Sequence, residues 1–396
     1  MELSTFSPEH PLLLITDYPA DTGGGGAVIL RSLLSQQERE KVIWLSLSGA
    51  TQSDPALWKG HHRLTQGSSG MISSARRSIF LDSTWFAGNL AAEILDIAKE
   101  RQARGLWVVM HGAVVHVAAH LIRAGQLPIH LTVHDDPTSY IMRSKKNFVL
   151  TPLVERDLAF ALKKADSIDV ICQGMAQRYK SRYGVDSTIV HRGTNQEIEP
   201  ETTYDKNRFG LAIGVLGNTY SYEQLPILCQ AIIEASRQLG VPGKLVIVGQ
   251  SFGDRLQKHF SGQLDIDVAN HLDETTAIER LRQCFMLYLN YPFSWRTRVL
   301  RQTSFPTKLS TYLMTARPII MHVPDDSSVM PLANYSGYIN LWNNCDPMTG
   351  AKILIKCWSE SKSEDNFHIP AENIRQKYYD LNRNQENLFK LLNALT

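Results

Sequence analysis

Residues 301–320, Arg-Gln-Thr-Ser-Phe-Pro-Thr-Lys-Leu-Ser-Thr-Tyr-Leu-Met-Thr-Ala-Arg-Pro-Ile-Ile, bring together side chains that suit one kind of chemistry, the binding of an anion. They read as a short loop, a helix opening at Pro306 and a strand starting at Pro318. Proline fits the first turn of a helix, which has no use for its missing N–H. The free amides of that turn, the positive end of the helix dipole and the charge of Lys308 converge on a point suited to phosphate or diphosphate. Two other apolar runs end in a histidine: Trp107-Val-Val-Met-His111-Gly112 and His130-Leu-Thr-Val-His134-Asp135-Asp136-Pro137. A histidine beside carboxylates can bind hydroxyls, position an acceptor or move protons near neutral pH. Vicinal carboxylates point apart in an extended chain, which argues against a metal site, and one of the two can cap the turn before Pro137. His134 is the first candidate for a chemical role and His111 the second, with Asp135 and Asp136 beside them. A third place is the loop 17–26, where Gly23, Gly24, Gly25 and Gly26 run into a helix and let backbone approach a ligand closely. It is neither the Gly-x-Gly-x-x-Gly dinucleotide fingerprint nor a Walker loop.

The elements that must hold these groups follow from periodicity. Short apolar runs at 12–16, 42–47, 106–110, 129–134 and 168–172 read as buried parallel strands, with helices such as 85–101 between them. The pattern lapses into a polar stretch at 195–208 containing Pro200, the best linker, and restarts with strands at 211–216, 245–248, 285–289 and 319–322. Residues 371–395 read as one long terminal helix. The expected fold class is α/β, with two successive doubly wound, Rossmann-like domains. Their carboxyl strand ends, where all the loops above begin, are the ligand face of such sheets.

Composition bounds the rest. A chain of 396 residues, 43% apolar and 20% charged, is a two-domain globular protein. Net charge is +2 and neither half is basic, which removes the electrostatic case for a nucleic-acid partner. A local patch for anionic lipid, and so peripheral membrane contact, stays compatible. The five scattered cysteines form no Cys-x-x-Cys pair and read as buried thiols in a reducing cytoplasm; Cys172 reads as core. No signal-peptide pattern and no apolar run of about 18 residues is present, so a cytoplasmic location is expected.

The order Phe-Pro-Thr-Lys, Tyr-Leu, Ala-Arg-Pro-Ile-Ile in 305–320 resembles the donor-binding loop and helix of GT-B fold retaining glycosyltransferases that use nucleotide sugars. The resemblance extends over nearly the whole chain. It implies an acceptor-side domain at 1–203 completed by a crossing helix at 375–396, a donor domain at 204–374, and an active site in the cleft that the domains face. It further implies that Gly24, Gly25 and Gly26 lie near the donor phosphate and sugar, that His134 lines the sugar site, and that Gly217, Asn218, Thr219, Arg301, Thr303, Phe305, Pro306, Thr307, Lys308 and Thr311 surround the donor. Retention of configuration, no cofactor and no obligatory metal are also implied.

The chain departs from that family at two places. Arg immediately after the first glycine of the donor domain, and Lys five residues later, are usual on the diphosphate; here Asn218 and Glu223 stand there. The paired glutamates eight residues apart that hold donor sugar and ribose fall on Thr303 and Thr311. Removing a diphosphate from water needs compensating charge, which leaves Lys308, Arg301, Arg296, Arg298 and the helix amides to supply it. A subgroup of bacterial members carries Ser-Phe-Pro-Thr-Lys-Leu in place of the acidic motif, so the losses read as subgroup character. The expected function is transfer of a sugar, a hexose by preference, from a nucleoside-diphosphate sugar to a hydroxyl acceptor. The alternative is a non-catalytic GT-B scaffold or sugar-binding partner of another transferase. Aromatics near Trp295 and in 58–77 are further acceptor contacts or packing residues.

Overall fold

The computed structural model describes residues 6, 10–20, 25–47, 58–64, 86–139, 151–199, 204–217, 219–249, 253–270, 272–361 and 367–395. In chain order the main elements are β1 (Leu12–Thr16), α1 (Gly25–Leu33), β2 (Val42–Ser46), β3 (His61–Arg63), α2 (Ala87–Glu100), β4 (Gly105–Val109), α3 (Val114–Ala124), β5 (Ile129–Val133), α4 (Thr151–Lys164), β6 (Ser167–Val170), α5 (Gln173–Tyr183) and β7 (Thr188–Ile189). There follow β8 (Leu211–Leu216), α6 (Gln224–Leu239), β9 (Gly243–Val248), α7 (Gly253–His259), β10 (Asp265–Ala269), α8 (Glu274–Arg282), β11 (Met286–Asn290), α9 (Arg298–Thr303), α10 (Lys308–Leu313), β12 (Ile319–His322), β13 (Ile339–Trp342), α11 (Pro347–Glu360), α12 (His368–Ile374) and α13 (Leu381–Asn393).

The chain divides into two compact units. The first comprises Met1–Thr194, Trp295–Phe305 and Asp380–Thr396; the second comprises Asn195–Ser294 and Pro306–Tyr379. The first holds a seven-stranded sheet in the order β3-β2-β1-β4-β5-β6-β7, and the second a six-stranded sheet in the order β10-β9-β8-β11-β12-β13. Every pairing between these strands is parallel. Strands β1, β4, β5 and β11 are buried along their whole length, as expected of parallel strands covered on both faces. In both sheets the order reverses beside the first strand, between β1 and β4 and between β8 and β11.

All nine strands expected from apolar runs are present, and β3, β7, β10 and β13 complete the sheets at their edges. Four expectations need correction. The terminal segment is not one helix: α12 ends in a π-helical turn at Arg375–Tyr379, and α13 restarts where the Asp380 carboxylate accepts the amide of Arg383 at 2.7 Å. Residues 301–303, expected as loop, close a helix over Arg298–Thr303 that is held by buried Val299 and Leu300. The following helix starts at Lys308 rather than Pro306 and runs for only six residues. Of the cysteines, Cys172, Cys229 and Cys284 are buried, but Cys345 is exposed in the turn before the Asp346 cap of α11, and Cys357 is half-buried. Among the described residues no helix is long and apolar enough to cross a membrane.

The first unit packs α3 against α4 around one buried carboxylate. Asp157 is fully buried, takes a 2.7 Å hydrogen bond from His116 Nδ1, and is met by Arg156 Nε at 2.9 Å and Arg123 at 3.4 Å. Burial alone would raise its pKa, but the bonds from His116 and Arg156 outweigh it and hold the carboxyl well below the usual range. A depressed carboxyl contributes stability above its unfolded pKa and loses it as pH falls toward the folded one. Asp157→Ala should therefore leave His116 and its arginines without their anion and cost roughly 3–5 kcal/mol. The measurement is the urea midpoint of the first unit followed at pH 7 and again at pH 3. Equal midpoints for the variant and the parent at pH 7 would refute the assignment.

Candidate functional site

The carboxyl ends of β1 and β4 flank the reversal of the first sheet, and their loops are joined by polar contacts. Thr16, the last residue of β1, is buried; its hydroxyl accepts from Trp44 Nε1 at 2.6 Å and donates to the carbonyl of Tyr18. That fixes the turn through Asp17. The Asp17 carboxylate lies 3.4 Å from His111 Nδ1. It can do so because Gly112 has φ +53° and no side chain: a Cβ there would stand 2.4 Å from Asp17 Oδ2. Burial pulls the His111 pKa down, but the hydrogen bond and charge of Asp17, with Asp135 behind them, turn the balance, and the pKa is raised.

Gly26 in the first turn of α1 serves a second close approach. A Cβ at this position would come 2.3 Å from Tyr18 Oη and 3.3 Å from His134 Nδ1. Both atoms are buried without a hydrogen-bond partner among the described residues. The Tyr18 ring meets Trp44 and His111 edge-on, at centroid distances of 6.4 and 6.1 Å. Burial, followed by Asp135 and Asp17, raises its pKa. For His134, burial outweighs the attraction of Asp169 and, with His111 adding to it, lowers the pKa to about 4. The imidazole is therefore neutral at pH 7, able to donate from one nitrogen and accept at the other.

The vicinal carboxylates divide. Asp135 is exposed, while Asp136 is buried and accepts from the Thr138 amide at 2.9 Å and from its hydroxyl, with Arg178 Nε at 3.5 Å. Asp136 is thus the turn cap, and Asp135 the carboxylate presented outward. Gly25 opens α1 beside Gly26, and Gly24 lies outside the described residues. His61 is a packing residue bonded to Ser46 at 2.8 Å, and Trp58 is core, donating to the Val42 carbonyl at 3.1 Å. Asp17 and Tyr18 lie in the loop 17–26, where the sequence gives a role only to the glycines. Their signal was an acidic residue directly after a buried strand and a glycine directly after a strand-terminal histidine.

The second sheet repeats the arrangement at β8 and β11. Gly217 follows β8 at φ +59° and Gly249 follows β9 at φ +76°, and no atom of the described residues lies within 4 Å of a Cβ built on the first. Asn218 lies outside the described residues. The Thr219 hydroxyl donates to Asn290 Oδ1 at 2.8 Å, Asn290 Nδ2 donates to Gln224 at 2.9 Å and Ser221 O at 3.1 Å, and Tyr220 stacks on Tyr291 at 4.7 Å. Behind them His322 stacks on Trp342 at 3.8 Å and gives its Nε2 proton to the Asn344 carbonyl at 2.7 Å. Its Nδ1 must then accept from Tyr288 Oη at 2.7 Å, and burial lowers its pKa to about 4.

The segment 301–311 falls into two parts. Arg301, Thr303 and Phe305 belong to the first unit and Pro306, Thr307, Lys308 and Thr311 to the second. Arg301 is buried, Phe305 packs on His191 at 4.8 Å, and the Thr303 hydroxyl turns back to the Val299 carbonyl at 2.7 Å. The Pro306 carbonyl accepts from the Leu309 amide at 3.0 Å and the Thr307 carbonyl from Ser310. Lys308 opens α10 half-buried, and burial lowers its pKa to about 8. Thr311 donates to Glu274 Oε1 at 3.0 Å. Glu223 stands exposed before α6, and Trp295 is 71% exposed. Among the described residues no group of His, Cys, Asp and Glu has the geometry of a metal site.

The Asp17–His111 contact makes a direct test of the first loop cluster. Asp17→Asn should lower the His111 pKa, since the hydrogen bond and charge that oppose burial are weakened together. Histidine C–H resonances titrated by NMR between pH 4 and 9 give the answer. A His111 midpoint no lower in the variant than in the parent would overturn this account of the cluster.

No protein-family model matches the sequence, and no curated protein matches it. Solved structures do. Sucrose-phosphate synthase from Thermosynechococcus elongatus is 11% identical with a TM-score of 0.71, over 98% of this chain and 99% of that one. Anabaena HepE in complex with UDP and glucose is 13% identical with a TM-score of 0.66, over 98% and 100%. The E. coli trehalose-6-phosphate protein bound with UDP-2-fluoro glucose is 12% identical with a TM-score of 0.65, over 98% and 99%. Likeness at these identities bears on the fold: two parallel Rossmann-like sheets with their helices, the fold of GT-B glycosyltransferase structures.

Proposed function

We propose that this chain is a glycosyltransferase that moves a sugar, a hexose by preference, from a nucleoside-diphosphate sugar to a hydroxyl acceptor. The observation that carries the reading is Lys308, an ammonium held half-buried so that its pKa is about 8. A desolvated cation is a strong partner for a diphosphate. The full-length likeness to structures holding UDP or a UDP sugar supports the same choice of ligand. In this reading the second unit takes the donor, with the Gly217 and Gly249 backbone admitting it and Lys308 stabilising the leaving diphosphate. The first unit offers hydroxyl groups the neutral His134, exposed Asp135 and His111. Retention of configuration, independence from metal and cofactor, and a cytoplasmic location belong to the proposal.

A second reading has the chain bind a sugar or nucleotide without turnover, in support of another transferase. It is favoured by Thr303 and Thr311, whose hydroxyls both bond to protein groups. Incubating the protein with a panel of nucleotide sugars and detecting released nucleotide by mass spectrometry separates the two. Release from one donor supports the transferase; tight binding without release, with or without hydroxyl acceptors, favours the second reading.

The Lys308 assignment also fixes a pH dependence. Burial favours the neutral amine, whereas a bound diphosphate favours the ammonium and raises its pKa again. Binding must therefore take up a proton above about pH 8, and affinity must fall as pH rises toward 10. Lys308→Ala should weaken nucleotide binding about ten- to hundredfold at pH 7, the loss of one charge-assisted bond, and remove the proton uptake. Titration calorimetry at pH 7, 8.5 and 9.5 in buffers of different ionisation enthalpy reads both quantities. Affinity that is flat over that range would remove Lys308 from the site.

A further inference from the structure

Strands β8 and β11 flank the reversal of the second sheet, and their pairing stops short of their carboxyl ends. The paired positions are Ile213–Met286 and Gly214–Leu287, yet β8 continues to Leu216 and β11 to Asn290. In that register the next rung would run from the Leu216 amide to the Tyr288 carbonyl. A phenol stands in its place. The Leu216 amide donates to Tyr312 Oη at 3.0 Å, and Tyr312 Oη donates to the Tyr288 carbonyl at 2.9 Å. Tyr312 is fully buried, and burial raises its pKa against the opposing effect of the Leu216 amide, so the hydroxyl keeps the proton it donates. A hydroxyl inserted into a rung lets amide and carbonyl stand about 5 Å apart instead of about 3 Å. The two strands are thus spread at their carboxyl ends, and beyond the phenol their chains are joined through Thr219 Oγ1 and Asn290 Oδ1 at 2.8 Å.

The wedge comes from the helix that bears Lys308. Lys308 and Tyr312 are one turn apart on α10, so their side chains share a face. Gly217, at φ +59°, directly follows Leu216. One hydroxyl therefore links the turn at Gly217, the end of β11 and the helix face that carries the half-buried ammonium. A direct rung would satisfy the same two backbone groups without any side chain; the inserted phenol satisfies them with the strands held open. That suits a place where a ligand approaches the strand ends. We propose that Tyr312 is a positioning residue of the donor site: its hydroxyl spreads β8 from β11 and sets the Gly217 turn against Lys308, so that one diphosphate meets both. This rests on the nucleotide-sugar reading above. Tyr312 acts through the turn and through α10, not by contact with the ligand.

Amide hydrogen exchange, together with calorimetric titration of uridine, adenosine and guanosine diphosphates, tests this in the full chain. In the parent the Leu216 amide should be protected, and the best-bound nucleotide should slow its exchange further. An unprotected amide, or exchange that bound nucleotide leaves unchanged, overturns the inference without recourse to a variant. Tyr312→Phe keeps the ring and removes the link. It should speed exchange at Leu216 and weaken nucleotide binding about fivefold, the worth of one buried hydrogen bond. Thermal melts confirm that the variant is folded. The deciding comparison is a double-mutant cycle with Lys308→Ala. A hydroxyl that works by setting the turn against Lys308 has little left to do once the ammonium is gone, so Tyr312→Phe should then change affinity by less than about twofold. Losses that simply add would reduce Tyr312 to core support and overturn the positioning role, as would parental affinity in folded Tyr312→Phe. Either result leaves the nucleotide-sugar reading intact. Absence of nucleotide binding by the parent overturns that reading and this inference with it.

Discussion

The constraint on which everything else depends is the handedness of the connection between parallel strands. A right-handed crossover sends each new strand to one side of its predecessor, so a sheet covered on both faces must start in its middle and grow outward in two directions. Both sheets do this, from β1 and from β8. Where the order reverses, the loops leaving adjacent strands turn to opposite faces and expose the carboxyl edge between them. In the first sheet that edge is bridged by Asp17 and His111, and in the second by Thr219 and Asn290. The polar clusters are consequences of topology, placed where two backbones diverge and side chains of different loops can meet.

Glycine and burial then set the chemistry of the first cluster. Gly112 lets Asp17 lie against the turn after β4, and Gly26 lets Tyr18 and His134 lie against the first turn of α1. The same crowding acts on two histidines in opposite directions. His111 has a carboxylate beside it that outweighs burial, so its charged form is favoured; His134 is dominated by burial and stays neutral. Titratable groups whose surroundings push their pKa values apart can divide donor and acceptor duties at one pH, which a pair of equivalent imidazoles would not do.

Much of this organisation was legible in the sequence for a physical reason. Central parallel strands are buried on both faces and write themselves as unbroken apolar runs. The edge strands β3, β7, β10 and β13 are short or half-covered, so His61–Arg63 and Asp265–Ala269 look like ordinary polar sequence. The sequence of 371–395 reads as one helix charged on one face, whereas the interruption comes from Asp380 capping a new helix and bridging to Thr194. Strand-terminal histidines announce themselves by position. The partners that tune them do not: Asp17 is 94 positions from His111 in sequence, and Glu274 is 37 from Thr311.

The two threonines that stand where acidic residues were expected illustrate how far a motif can be trusted. From the sequence they are equivalent, each a hydroxyl in place of a carboxylate. In the structure they differ. Thr303 closes its hydroxyl on the Val299 carbonyl one turn back and is fully buried, which leaves it a role in ending α9. Thr311 instead holds a carboxylate supplied by the neighbouring helix. A hydroxyl accepts weakly, but as a donor it can fix a carboxylate that a longer side chain delivers from elsewhere. A carboxylate therefore stands within hydrogen-bonding distance of the hydroxyl at 311, although the side chain at that position carries none. A motif read residue by residue records only what each position contributes by itself, and the electrostatics of a site belong to the set of groups that the fold assembles.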